Sequence, residues 1–224
     1  MKGTVFLLIS LFASLLAEAQ VAIINDKDGY TNVRKEPNAQ SPIIYKITSN
    51  TVFWYEDQEG QNANEWTRVY VSEDDFSLNV DDTNYIEGFI HTSRLQPLEQ
   101  VKVYKGSDFA FKYAVEPFKL EGRSVKKQNG QWVETIGGKK VWGTDGGFPK
   151  TQVKGVKVSI AGKSIPISKN LYADIYECTN EFKVYKNGDT YFVYQWNSDG
   201  AGAYQVVWVF NTEGLKQRLV GSMI

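Results

Sequence analysis

Apolar residues along most of this chain recur at alternate positions in short runs, punctuated by Gly, Asn and Asp. That pattern reads as β-strands joined by tight turns. Val156, Val158 and Ile160 alternate with Lys157 and Ser159, so Lys154 and Lys157, which flank the alternation, are read as outward-facing strand residues. Asn129-Gly130 separates SVKKQ from QWVETI, and Asn187-Gly188 separates EFKVYK from DTYFVYQW. Asn-Gly tolerates the positive φ angles of a type I′ turn, so both predict hairpins. A third hairpin is predicted where VKVSI and SIPI flank Ala161-Gly162-Lys163. The strongest core strand is Gln205 to Phe210 (QVVWVF), followed by a turn at Asn211 to Gly214 and a last strand, LKQRLV. One short helix is predicted at Lys169 to Glu177, with Ser168 as its N-cap and Leu171, Ile175 and Cys178 on one face.

The first 20 residues differ from the rest. Lys2 precedes an apolar run from Val5 to Leu16, and Ala17-Glu18-Ala19 is a small-x-small cleavage pattern. Twelve apolar residues are too few to span a bilayer core, which takes roughly 20. Residues 1–19 therefore read as a signal peptide, which places the mature chain in a secreted, periplasmic or extracellular setting. The chain carries one Cys and one His, so no disulfide framework forms within it and no zinc site can be built from Cys and His alone. No cofactor and no metal are expected.

Charge divides the mature chain into two halves. Residues 20–98 hold 6 basic against 13 acidic side chains, and residues 99–224 hold 18 against 12. Pro97, within Leu95-Gln96-Pro97-Leu98-Glu99, interrupts strand pairing, and a domain boundary is placed near residue 98. The stretch Ser72–Tyr85 carries five carboxylates and no basic residue, without the spacing of an EF-hand loop, and reads as a solvated loop. Lys139 to Lys169 holds seven lysines against one acid, Asp145. Such a patch attracts anionic polymers or docks against the acidic half of its own chain. Nucleic acid is not an expected partner.

Four elements in the first half carry a resemblance. Asp28-Gly29-Tyr30-Thr31-Asn32-Val33-Arg34 leads into Lys35-Glu36-Pro37-Asn38; Ile43 to Ile47 and Thr51 to Tyr55 follow; then come Asn64-Glu65-Trp66-Thr67-Arg68-Val69 and the closing Glu87-Gly88-Phe89-Ile90-His91-Thr92-Ser93-Arg94-Leu95. In that order they resemble the bacterial SH3 family over residues 22–98. Two features depart from its pattern: the acidic stretch is an insertion, and Glu65 replaces the Gly of the usual Gly-Trp pair. The resemblance implies a small β-barrel that binds peptides or cell-wall components, with ligand contacts on loop-proximal aromatics. Tyr30, Tyr55 and Trp66 are the candidates, since aromatic side chains give large contact area at low entropy cost. His91 is read as a structural or surface residue.

The second half carries two loops in which a Trp precedes an Asp-Gly turn and an aromatic residue follows. They are Val141 to Pro149 and Trp196 to Tyr204. Asp145 and Asp199 could act as a glycosidase-type carboxylate pair if they faced one another. With Asn197 they could instead ligate a hard cation, or they could simply be turn residues. Asp145, Asn197 and Asp199 are therefore added to the candidate ligand-binding set, with no catalytic residue assigned.

The sequence thus predicts an all-β protein: a signal peptide (1–19), a bacterial SH3-like barrel (20–98), and a β-rich, antiparallel, hairpin-built domain (99–224) with about one short helix. The expected function is that of a secreted, non-catalytic binding protein that contacts peptide, peptidoglycan or an envelope protein. A carboxylate-dependent hydrolase and an inhibitor or immunity-type protein of a secreted enzyme are the alternatives.

Overall fold

The strand pairs are all antiparallel, in keeping with the short turns that join most consecutive strands. The structure, a computed structural model, describes residues 19–56, 65–78 and 84–222. The expected signal peptide lies outside these residues except for Ala19. Among the described residues, no helix is long and apolar enough to cross a membrane.

Seven strands form the first sheet: β1 (Ala19–Ile24), β2 (Tyr30–Arg34), β3 (Ile43–Thr48), β4 (Phe53–Glu56), β5 (Trp66–Ser72), β6 (Tyr85–His91) and β7 (Leu95–Pro97), in the order β3-β2-β6-β5-β4-β1-β7. Ala22, Val33, Ile47, Phe53, Val69 and Ile90 come from six of these strands into one buried cluster, so the sheet curls around a shared interior. It does not close into the expected barrel, because β3 and β7 remain at opposite ends of the order. The physical reason lies in β1 and the chain through β4, which are apolar on both faces. Val21, Ile23, Val52 and Trp54 turn away from that interior and pack in a second cluster with Tyr185, Phe192, Val207, Val209 and Leu219.

The rest of the chain supplies three smaller sheets. In chain order the strands are β8 (Phe109–Pro117), β9 (Val125–Gln128), β10 (Trp132–Ile136), β11 (Lys139–Lys140), β12 (Thr151–Ile160), β13 (Lys163–Ile165), β14 (Lys183–Asn187), β15 (Thr190–Asn197), β16 (Tyr204–Asn211) and β17 (Gly214–Gly221). β12 lies between β13 and β8, β10 between β11 and β9, and β14 to β17 run in sequence order. β16 is buried from Tyr204 to Phe210, and its side chains divide by alternation. Tyr204, Val206, Trp208 and Phe210 enter a core with β8 and β12, whereas Val207 and Val209 face the seven-stranded sheet. A strand covered on both faces has no polar face to show, as its unbroken apolar sequence indicated.

The turns follow the expected chemistry. Asn129 and Gly130 both have positive φ (50° and 72°), as do Ala161 and Gly162 (49° and 79°), the signature of type I′. The Asn187-Gly188 hairpin is shifted by one residue: Asn187 pairs with Thr190, so Gly188 and Asp189 make the turn. Lys154 and Lys157 are both exposed although three apart, because the register slips between Val153 and Gly155.

Two expectations are corrected. The helix at Lys169 to Glu177 is only a 3-10 turn, Lys169–Leu171, and the Ser168 side chain does not cap it. Ile175 and Cys178 are buried as expected, but from extended chain: Val153 N–H donates to the Ile175 carbonyl, and Tyr176 bridges to Gln152. The acidic stretch is not a loose solvated loop over its described part. The Asp74 carboxylate accepts from the Phe76 and Leu78 N–H groups (2.7 and 2.8 Å), and Arg218 donates from Nη1 to the Phe76 and Ser77 carbonyls (2.9 and 3.1 Å). The remainder, 79–83, lies outside the described residues.

The seam between the two oppositely charged halves is apolar and hydrogen-bonded. Gln217 clasps the backbone of Val52 from both ends of its amide (2.8 and 2.9 Å), and Asn50 bonds Thr190 and Asn187. Ion pairs between described residues stay within each half.

Candidate functional site

The pairing of β5 with β6 sets Trp66 directly opposite His91. Their rings meet edge to face, 5.5 Å between centroids and 78° between planes. His91 also opens the 3-10 turn Thr92–Arg94, where its Nδ1 accepts from the Ser93 N–H (3.2 Å). An accepting Nδ1 leaves the proton of neutral imidazole on Nε2, so His91 has a donor left to offer. Tyr30, at the start of β2, is 37% exposed, with the Lys46 ammonium 3.8 Å from its ring centroid. Tyr30, Trp66 and His91 line one groove of about 360 Å³ together with Asp26, Arg34 and Arg94.

The charges in this groove are held in place. Arg94 pairs with Asp26 at 3.1 Å, and Arg34 donates from Nη1 to the Ser41 carbonyl at 2.7 Å. The result is an aromatic wall beside guanidinium and carboxylate groups on short, paired strands. Such a surface can stack on an apolar or sugar face and hydrogen-bond a backbone; the Ser93 hydroxyl also lines it, 2.8 Å from His91 Nδ1.

The candidate residues divide. Tyr30 and Trp66 are brought together. Tyr55 is not with them: it is 4% exposed within the sheet interior, and its hydroxyl donates to Gln20 Oε1 at 2.8 Å. His91, read from the closing motif as a structural or surface residue, also belongs to the groove. The signal is present in the sequence, since placing the Trp66 strand antiparallel to the closing strand brings His91 opposite the Trp.

The two Trp-containing loops also meet, through backbone, hydroxyl and aromatic contacts. Gly143 N–H donates to the Gly202 carbonyl (3.1 Å), Ser198 Oγ donates to the Gly143 carbonyl (3.1 Å), and Trp142 stacks on Tyr204 at 6.1 Å. Gly202 must be glycine here, because a Cβ would lie 2.9 Å from Thr144 N and 3.1 Å from Asp145 Oδ1. Asp145 and Asp199 are exposed, and Asn197 is buried. Among the described residues, no three of His, Cys, Asp and Glu gather as a metal site. The first loop thus closes against the end of the β15–β16 hairpin, which the second loop forms.

Cys178 is buried, and burial pushes its thiol up to about 12. A thiolate is the reactive form, so the native protein is expected to leave a thiol-disulfide dye such as DTNB unreacted at pH 8 and to release one equivalent of product in denaturant. Rapid labelling of the folded chain would show instead that the core around Cys178 opens. In comparisons with known proteins, the chain matches no family model, no curated protein and no solved structure.

Proposed function

We propose that this is a secreted, non-catalytic binding protein whose N-terminal half contacts peptide, peptidoglycan or an envelope protein through the Tyr30–Trp66–His91 groove, in the manner of the bacterial SH3 family it resembles. The observation that carries the reading is the grouping of an exposed Tyr, a half-buried Trp and an imidazole with an unused donor beside Arg34 and Arg94. Aromatic and Arg side chains are the ones that dominate recognition surfaces. The buried Cys178, in a core on the other side of the seam from His91, supports a binding role over thiol hydrolysis.

The test is capture of residues 20–224 on isolated peptidoglycan and on envelope extract, with wild type beside Tyr30→Ala and Trp66→Ala. Retention reduced about tenfold or more by either variant is expected, since a central aromatic contact is worth roughly 2 kcal/mol. Retention indifferent to both variants would remove the groove from the function.

A further inference from the structure

The apolar seam ends in a second, smaller cleft of about 180 Å³, where the 3-10 turn Leu98–Gln100 faces the start of β14 and the end of the β15–β16 hairpin. Gln205 lies in it on the face that Val207 and Val209 use to pack against the seven-stranded sheet, opposite Trp196 in the strand pairing. Gln205 is 7% exposed, and neither end of its amide makes a hydrogen bond with a described residue; Oε1 is fully covered and without a donor. An unpaired amide at such a depth is costly, so it needs a reason. The cleft's charged residues, Glu99 and Lys183, form no ion pair among the described residues, and Trp196 is 39% exposed beside them.

We propose that this seam cleft is a binding site for a small zwitterion of amino-acid or dipeptide size. Glu99 takes the ammonium, Lys183 takes the carboxylate, Gln205 bonds the amide or amine between them, and Trp196 covers the apolar part. Size and charge both select this class. Drug-sized ligands fill roughly 300–1,000 Å³, so a cleft of about 180 Å³ takes something smaller. A carboxylate and an ammonium, neither ion-paired among the described residues, match a ligand that carries both signs. The site is separate from the Tyr30–Trp66 groove and does not depend on it.

The experiment titrates the protein with L-alanyl-L-alanine, L-alanine and the uncharged N-acetyl-alanine methylamide, reading the Gln205 side-chain amide and the Trp196 indole N–H by NMR. A saturable shift with L-alanine or the dipeptide is expected, at least about tenfold weaker for the capped compound, as loss of charge-assisted hydrogen bonds implies. Which of the two binds more tightly assigns the ligand size. Gln205→Leu removes the orphaned amide without removing bulk, so the fold survives; binding followed on Trp196 should weaken about tenfold. Tyr30→Ala should leave the titration unchanged, which separates this site from the groove. No saturable shift up to roughly 10 mM, where even a ligand bound by a few kcal/mol registers, would overturn the proposal. So would equal binding of the capped compound, or equal binding by Gln205→Leu; in those cases the amide is merely hydrated.

Discussion

Replacing Arg218 with Met is expected to destabilise the protein by about 3–5 kcal/mol, the cost of leaving one member of a buried ion pair behind. Arg218 is fully buried, and its guanidinium donates to Asp174 Oδ1 at 2.6 Å. Asp174 is itself only 4% exposed, so the variant strands a carboxylate away from water. The same guanidinium holds the Phe76 and Ser77 carbonyls, and the backbone N–H of Arg218 donates to the Asp75 carbonyl at 2.8 Å. The loss should therefore appear in two places: as a lower urea midpoint, and as faster amide exchange at Phe76 and Leu78. The double variant Arg218→Met/Asp174→Leu should recover part of the stability, because it removes both charges, but not the protection of the 73–78 segment. A single variant that costs less than about 1 kcal/mol would mean that water reaches the pair.

Arg218 also marks the limit of what local sequence can reveal. In LKQRLV it looks like one more outward cation of a terminal strand, and nothing local marks it as buried. Its partners lie 44 and 142 residues away, beyond the reach of any periodicity argument. Turns, by contrast, are local events: the demand for positive φ at Asn129-Gly130 and Ala161-Gly162 is met by those residues alone. The predicted helix failed for the opposite reason. Leu171, Ile175 and Cys178 have helical spacing, yet β12 offers Ile175 and Tyr176 a backbone partner, and Arg218 draws in Asp174 between them and the 3-10 turn. Tertiary partners outweighed a weak local preference. For the groove, Tyr30 and Trp66 follow from the resemblance, which places contacts on aromatics near the loops, and the two do line one groove. Tyr55 is implied by the same resemblance, yet β4 turns its ring into the sheet interior, away from the groove. Gln205 leaves a faint trace: it is the polar residue that opens an otherwise apolar run, QVVWVF.

Trp54→Ala should cost about 3–5 kcal/mol, as expected for deleting a fully buried aromatic, and should weaken both halves of the chain together. The indole has no exposed surface, and its Cζ2 would lie 3.3 Å from a Cβ built at Gly221. Its cluster joins Val21, Ile23, Leu98 and Val101 to Phe192, Val207, Val209 and Leu219, so the cavity opens between the seven-stranded sheet and β14–β17 rather than inside either. Gln217, which clasps Val52 across the same seam, would lose its packing and expose two backbone hydrogen bonds to competition from water. Amide protection at Ile23 and Val69 should therefore fall in step with that at Val207 and Val209. Protection lost only on the N-terminal side would show that residues 20–98 unfold independently, and that the seam adds little. Trp54→Phe sharpens the case. The Trp54 Nε1 has no hydrogen-bond partner among the described residues, so Phe removes an unsatisfied donor along with part of the ring. A gain of about 1–3 kcal/mol from that donor offsets the lost packing. The Phe variant should accordingly retain most of the stability that Ala loses, and the difference between the two measures what the aromatic ring contributes to holding the halves together.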